Sequence, residues 1–238
     1  MHIGILQADS VLEKFQPTFG DYPEMFVDLL GNVDDRRPRF TTIDAHVAAA
    51  GAGYPAPRSC DAYVITCSHY SVYDDEPWIA PLANFVGEVL NAGGKVVGIC
   101  FGHQLIAHYF GGHTAVAPVG WGVGVHDIEL IGREPWMDPA AAEVALVSSH
   151  KDQVFEIPDG ARLIARNDFC PNAGFVIGDQ VLTLQGHPEF SKPYAEALLR
   201  HRRQLVGEAT FREAIASFQK DTDAAVLARW ILNFIERS

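Results

Sequence analysis

Hydrophobic and polar positions along the chain fall into two rhythms. Short apolar runs at His2 to Leu6, Phe40 to Ile43, Ala62 to Ile65 and Val96 to Ile99 read as strands, the later ones apolar enough to be buried on both faces. Between them lie stretches with helical spacing. Pro23 to Leu30 places Met25, Phe26, Leu29 and Leu30 on one side. Pro77 opens a helix whose Trp78, Ile79, Leu82, Phe85, Val86, Val89 and Leu90 make a wide apolar stripe, ended by Asn91-Ala92-Gly93-Gly94. Leu105, Ile106, Tyr109 and Phe110 repeat the pattern until Gly111 and Gly112 stop it. Residues 45–57, rich in Ala, Gly and Pro, predict no definite form. Strand, helix, strand, helix in this order predicts an α/β fold: a doubly wound, mostly parallel sheet with helices on both faces, with ligands bound at the carboxyl ends of the strands.

After Gly112 the rhythm shortens. Val123 to Leu130, Val144 to Val147, Ala161 to Ala165, and the pair Phe175 to Ile177 and Val181 to Leu184 across Gly178-Asp179 read as strands that extend the sheet with antiparallel members. From about residue 191 the chain reads as helical. Val226, Leu227, Trp230, Ile231, Phe234 and Ile235 form the stripe of a helix packed on a core, and the basic run Arg200-His201-Arg202-Arg203 reads as a solvated helix face. The expectation is one unit over residues 1–238, with an α/β core over 1–190 and C-terminal helices over 191–238 packed on it.

Candidate chemistry sits at one strand-to-helix junction. Cys100 lies between the Val96 to Ile99 run and the Leu105 helix, with Gly98 and Gly102 two residues away on either side. A sharp turn that projects a nucleophile needs such small neighbours, and the following helix points free N–H groups and its positive end at the sulfur. A small buried cysteine at a tight junction would read the same way from this stretch alone. Downstream, the run Val181 to Leu184 leads into His187-Pro188-Glu189. Proline holds His187 extended, and residues two apart in an extended segment project to the same side, so Glu189 can orient one ring nitrogen while the other faces elsewhere. A nucleophile, a base and an orienter of the base are then all present.

Gly98-Ile99-Cys100-Phe101-Gly102-His103-Gln104 followed at a distance by Gly186-His187-Pro188-Glu189 resembles the class I, triad-type glutamine amidotransferases, and within them proteins similar to the amidotransferase part of GMP synthase. The resemblance runs through about residues 60 to 190. It implies that Cys100 is the nucleophile, His187 the general acid and base, and Glu189 its partner. It also implies that backbone N–H groups of Ser68 and Phe101 form the oxyanion hole, that Gln104 contacts the α-amino and α-carboxylate groups of the substrate, and that the Ser148-Ser149-His150-Lys151-Asp152 segment lies near bound glutamine, so that Ser149 and His150 join the binding residues. Relatives carry Gly-Gly-Pro or Gly-Ser-Pro where this chain has Cys67-Ser68-His69, a departure that restricts φ in the loop. Cys67 and His69 could also be read as metal ligands or a second thiol.

The rest of the composition narrows the partners. A net charge of −12, from 30 acidic and 18 basic residues, argues against a nucleic-acid footprint or an anionic membrane surface. The opening residues carry no basic region before an apolar core, and no apolar run reaches bilayer length, which predicts a cytoplasmic protein. The four cysteines show no C-x-x-C pairing and are expected to be reduced. His103, His108 and His113 are spaced five apart, which turns successive side chains about 140° on a helix and gives them no common face. No metal and no cofactor is implied. Gly120-Trp121-Gly122-Val123-Gly124 lacks the strand-turn-helix setting of a nucleotide loop, and no phosphate-loop motif is present. The implied reaction is hydrolysis of the glutamine γ-amide through a Cys100 thioester, with the ammonia passed to a separate synthetase or acceptor subunit. Two alternatives stand beside it: a γ-glutamyl peptidase or hydrolase, and an idle binding or regulatory subunit.

Overall fold

Alternation along each central strand decides where the layers form. A computed structural model of the chain describes residues 1–237. In order it contains β1 (His2–Gln7), α1 (Gln16–Phe19), α2 (Tyr22–Gly31), β2 (Arg39–Asp44), α3 (Ala45–Val47) running into a wide turn at Ala48–Ala52, β3 (Ala62–Ile65), α4 (Ile79–Asn91), β4 (Lys95–Ile99) and α5 (Phe101–Tyr109). There follow β5 (His113–Val116), β6 (Gly122–Leu130), β7 (Glu143–His150), β8 (Asp152–Glu156), β9 (Arg162–Arg166), β10 (Gly174–Ile177), β11 (Val181–Leu184), α6 (Lys192–His201), α7 (Arg203–Val206), α8 (Glu208–Ser217) and α9 (Ala224–Glu236).

Nine strands form one sheet in the order β2-β1-β3-β4-β11-β10-β9-β6-β7. The first five are mutually parallel, and the remaining pairs are antiparallel. This bears out the mostly parallel α/β sheet read from the sequence. On one face, Val64, Val97, Ile99 and Leu184 share a core with Phe26 of α2 and with Leu227, Trp230 and Ile231 of α9. On the other face, Tyr63, Ile65, Val96 and Val181 meet Leu82 and Val86 of α4 and Leu105 and Ile106 of α5. Apolar packing on both faces is what makes these runs nearly continuous in the sequence.

α2 begins where Asp21 closes a capping box: its carboxylate accepts from Tyr22 N at 2.8 Å, and Glu24 accepts from Asp21 N at 2.8 Å. α9 is the amphipathic helix its stripe predicts, buried at Leu227, Trp230, Ile231, Phe234 and Ile235. One feature escaped the sequence reading. β5 and β8 pair as a separate antiparallel ribbon. Among the described residues no helix is long and apolar enough to cross a membrane.

β11 is the strand that matters for the site. It belongs to the β10–β11 hairpin, yet it lies parallel to β4 with Leu184 opposite Ile99. The chain leaving β4 and the chain leaving β11 therefore emerge side by side at the same edge of the sheet.

Candidate active site

Cys100 occupies the turn between β4 and α5 with φ 50° and ψ −96°, and only one other non-glycine residue among those described, Arg37, has a positive φ. Such a conformation costs about 1–3 kcal/mol and persists only where its surroundings hold it. Here Cys100 N donates to Leu184 O at 2.8 Å, and Gln104 N donates to Cys100 O at 3.0 Å. The flanking glycines let the turn close. A Cβ on Gly98 would lie 2.6 Å from the backbone carbonyl of Gly102, and one on Gly102 would lie 2.7 Å from Ile65 Cβ and 3.0 Å from its carbonyl oxygen. Any side chain at either position would push α5 away from the sheet.

Three residues past β11, His187 N donates to Val147 O at 2.8 Å, which anchors the segment across to β7. His187 Nδ1 bonds to Glu189 Oε1 at 2.8 Å, and both residues are buried. The spacing read from His187-Pro188-Glu189 thus gives the expected contact. The ring stacks on Phe190 with centroids 3.9 Å apart, and Phe190 is in turn held edge-on by Tyr194 at 4.7 Å. The second ring nitrogen, Nε2, is buried without a hydrogen-bond partner. Burial by itself pushes the His187 imidazole down; the Glu189 carboxylate, and after it Cys100, push it up harder, and the balance stands at about 10. Gln185 adds a contact from Nε2 to Cys100 Sγ at 3.5 Å.

A small cleft opens over Cys100, bordered on one side by Ser68 and His69 and on the other by Trp121, Ser149 and Arg202. Among the described residues the Ser68 N–H finds no partner, whereas the next N–H, that of His69, donates to Asp9 Oδ2 at 2.9 Å. Phe101 N stands at the first position of α5, ahead of any intrahelical acceptor. Both N–H groups that the resemblance puts forward are therefore unclaimed. The loop does not need glycine: none of Cys67, Ser68 and His69 has a positive φ.

Other predicted binding residues hold places the sequence did not specify. Gln104 lines the cleft, but its Nε2 is committed to Asp152 O at 2.9 Å and Gln185 Oε1 at 3.1 Å. His150 Nδ1 bonds to Asp152 O at 3.1 Å, and burial pushes the imidazole down to about 3 against a weaker pull from that bond, so it stands as a fixed neutral group. Ser149 Oγ accepts from Arg202 at 3.0 Å. Asp152 itself is buried; Oδ2 accepts from Ser71 Oγ at 2.5 Å, and Oδ1 has no partner.

The basic run is not one solvated face. Arg200 and Arg203 pair on the surface with Glu196 and Glu208, but the helix breaks at Arg202, whose guanidinium lies 5.5 Å over the Trp121 ring at the cleft. No spacing rule marks Arg202 and Trp121, which border the cleft, Gln185, which contacts Cys100 Sγ, or Asp9, which holds the loop behind it; each comes from a different element.

As to metals, His103 is buried and bonded to Thr183 Oγ1 at 2.9 Å and Asn172 O at 3.0 Å, away from any shared site with His108 and His113. Cys67, His187 and Glu189 do bring ligand atoms within 4.8 Å of one another. Burial, followed by the charges of Cys100 and Glu189, holds the Cys67 thiol well above its ordinary range, which opposes the thiolate an ion would need, so the group does not suit a metal.

Comparison with known proteins decides the family. The sequence model of the family described as glutamine amidotransferase class-I matches residues 70–202, more than half of the chain. The chain belongs to that family. Gamma-glutamyl peptidase 4 of Arabidopsis thaliana is 30% identical over 189 residues, covering 76% of this chain and 72% of that protein. The glutamine-hydrolyzing GMP synthase of Clostridium perfringens is 33% identical over 141 residues, covering 58% of this chain but 28% of its own length. In the crystal structure of a glutamine amidotransferase from Thermotoga maritima the fold is the same: TM-score 0.73 at 18% identity, with 100% of both chains covered. Family and relatives are amidotransferases and γ-glutamyl peptidases, which supports an enzyme and leaves the reaction to be argued from the cleft.

Proposed function

We propose that this chain hydrolyses γ-glutamyl amide bonds through a Cys100 thioester. The observation that carries the reading is the buried His187–Glu189 pair, with a ring near enough to Cys100 for the sulfur to raise its pKa, and with Cys100 in a strained strand-to-helix turn. The Cys100 thiolate attacks the γ-carbonyl carbon, and the Ser68 and Phe101 N–H groups take up the charge developing on the oxygen. His187, protonated at neutral pH, gives its proton to the departing nitrogen, and the amine leaves. Water then attacks the thioester, His187 accepts its proton, and glutamate departs as the sulfur regains its charge. Asp152 Oδ1, buried and unpartnered in the cleft, suits the α-ammonium of a glutamyl group.

Glutamine is the smallest such amide, and a separate synthetase subunit would then use the ammonia. A specific feature favours a larger leaving group. Arg202 stands over Trp121 at the cleft, and no carboxylate among the described residues pairs with it, so a γ-glutamyl peptide could present its own carboxylate there. The test is to incubate the protein, with Cys100→Ser as control, with glutamine and with γ-glutamyl dipeptides, measuring ammonia and released amino acid. Release from the peptides at higher kcat/KM than from glutamine supports the peptidase reading. The reverse order returns the glutaminase reading, and turnover of neither refutes both.

A further inference from the structure

The structure assigns Asp9 a positioning role: from the carboxyl end of β1 it clamps the loop that presents the Ser68 N–H to the reacting carbonyl. The inference rests on the γ-glutamyl hydrolase reading above and concerns a residue outside the stretch matched by the family.

The loop that follows β3 has to solve a packing and a hydrogen-bonding problem together. If the Ser68 N–H is to be left free for a developing oxyanion, the neighbouring polar groups must be satisfied elsewhere, or the loop will turn to pair its own donors. Asp9 supplies that. Its Oδ2 accepts from His69 N at 2.9 Å and lies 2.5 Å from His69 Nδ1, with Ser68 Oγ at 3.5 Å. Its Oδ1 accepts from Ser10 N at 2.8 Å, which fixes the carboxylate to its own turn. The backbone on either side is tied as well: Ala8 N donates to Thr66 Oγ1 at 3.0 Å, and Thr66 N donates to Leu6 O at 3.1 Å. Ser68 Oγ, in turn, accepts from Tyr70 N at 3.2 Å. The loop is thus cross-linked to β1 from residue 66 to residue 69, with the Ser68 N–H as the donor left over. Asp9 touches neither Cys100 nor the place of the substrate, and acts through the loop.

The experiment compares Asp9→Ala and Asp9→Asn with the wild type on the better γ-glutamyl substrate, reading kcat and KM separately, and follows alkylation of Cys100 by iodoacetamide, a reaction that needs the nucleophile and no oxyanion hole. Loss of a well-placed oxyanion donor costs about a hundredfold or more in rate, so a loosened one is expected to lower kcat about 10- to 100-fold in Asp9→Ala, with KM within about threefold. Alkylation should keep its wild-type rate. Asp9→Asn, whose amide oxygen still accepts from His69 N, should recover most of kcat. The clamp is refuted if Asp9→Ala keeps wild-type kcat, if only KM rises, if alkylation falls in parallel with turnover, or if Asp9→Asn is as impaired as Asp9→Ala. Wild-type protein that turns over no γ-glutamyl substrate overturns the parent reading instead.

Discussion

Replacing Glu189 with glutamine separates the two things this carboxylate does for His187. The amide oxygen of Glu189→Gln can still accept from Nδ1 in place of Oε1, now 2.8 Å away, so the ring keeps its direction while losing a negative charge. Both side chains are almost wholly out of water, with exposures of 1% and 0%, so little solvent screens the pair. At about 4 Å between charge centres and an effective dielectric of about 20, the interaction is worth roughly 4 kcal/mol, or about three pKa units. His187 should then fall from about 10 to roughly 7. The protein carries its own comparison: His103 and His150, equally buried but bonded to backbone carbonyls instead of a carboxylate, are pushed down by burial to about 3. If imidazolium is the acid that protonates the leaving amine, activity fails on the alkaline side as His187 loses its proton. The assay is the pH profile of kcat/KM for a γ-glutamyl peptide with an alkylamine leaving group. The alkaline limb should move down by about 1–3 pH units in Glu189→Gln. An alkaline limb that stays within half a unit of the wild-type position would falsify the assignment of His187 as the acid.

Three further outcomes follow from the same geometry. The His187 pKa, raised above the unfolded value of about 6.5, contributes stability that is fully present below that pH and is lost as pH rises through about 10; chemical denaturation of wild type across this window should show the decline, and Glu189→Gln should flatten it. Gly102→Ala would put a methyl 2.7 Å from Ile65 Cβ and 3.0 Å from its carbonyl, so overpacking of about 1–3 kcal/mol should lower Tm by several degrees and activity with it; calorimetry showing an unchanged Tm would contradict the close approach. Arg202→Ala should raise KM about tenfold for peptides with a free leaving-group carboxylate and leave glutamine unaffected, as a charge-assisted hydrogen bond worth about 1.5 kcal/mol implies; equal effects on both substrates would remove Arg202 from leaving-group recognition.

The parts of this site that were legible in the sequence are those whose geometry is local. Gly98, Cys100 and Gly102 announce a tight turn because the contacts that require glycine are with the next turn of helix and the adjacent strand end. His187 and Glu189 are legible because the two-residue period of extended chain puts both on one side, and the 2.8 Å bond is the result. The parallel strands were legible from apolar runs packed on both faces. What escaped is what the fold brings together from afar. β5 and β8 pair across about forty residues, and β8 starts within a polar segment that gives no strand signal. Arg202 sits in a run whose neighbours do face water, and only the break between α6 and α7 turns it inward. Asp9 and His69 are separated by 60 positions, and neither carries a spacing that would link them. The asymmetry has a physical cause. Cys100 sits in a turn that closes only beside glycine, and His187 in an extended segment fixed by the proline after it, so both leave a local mark, whereas loop anchoring needs only an acceptor at the right place, which many residues on many elements could supply. Local patterns therefore mark Cys100, His187 and Glu189, and what holds them in place is left to the fold.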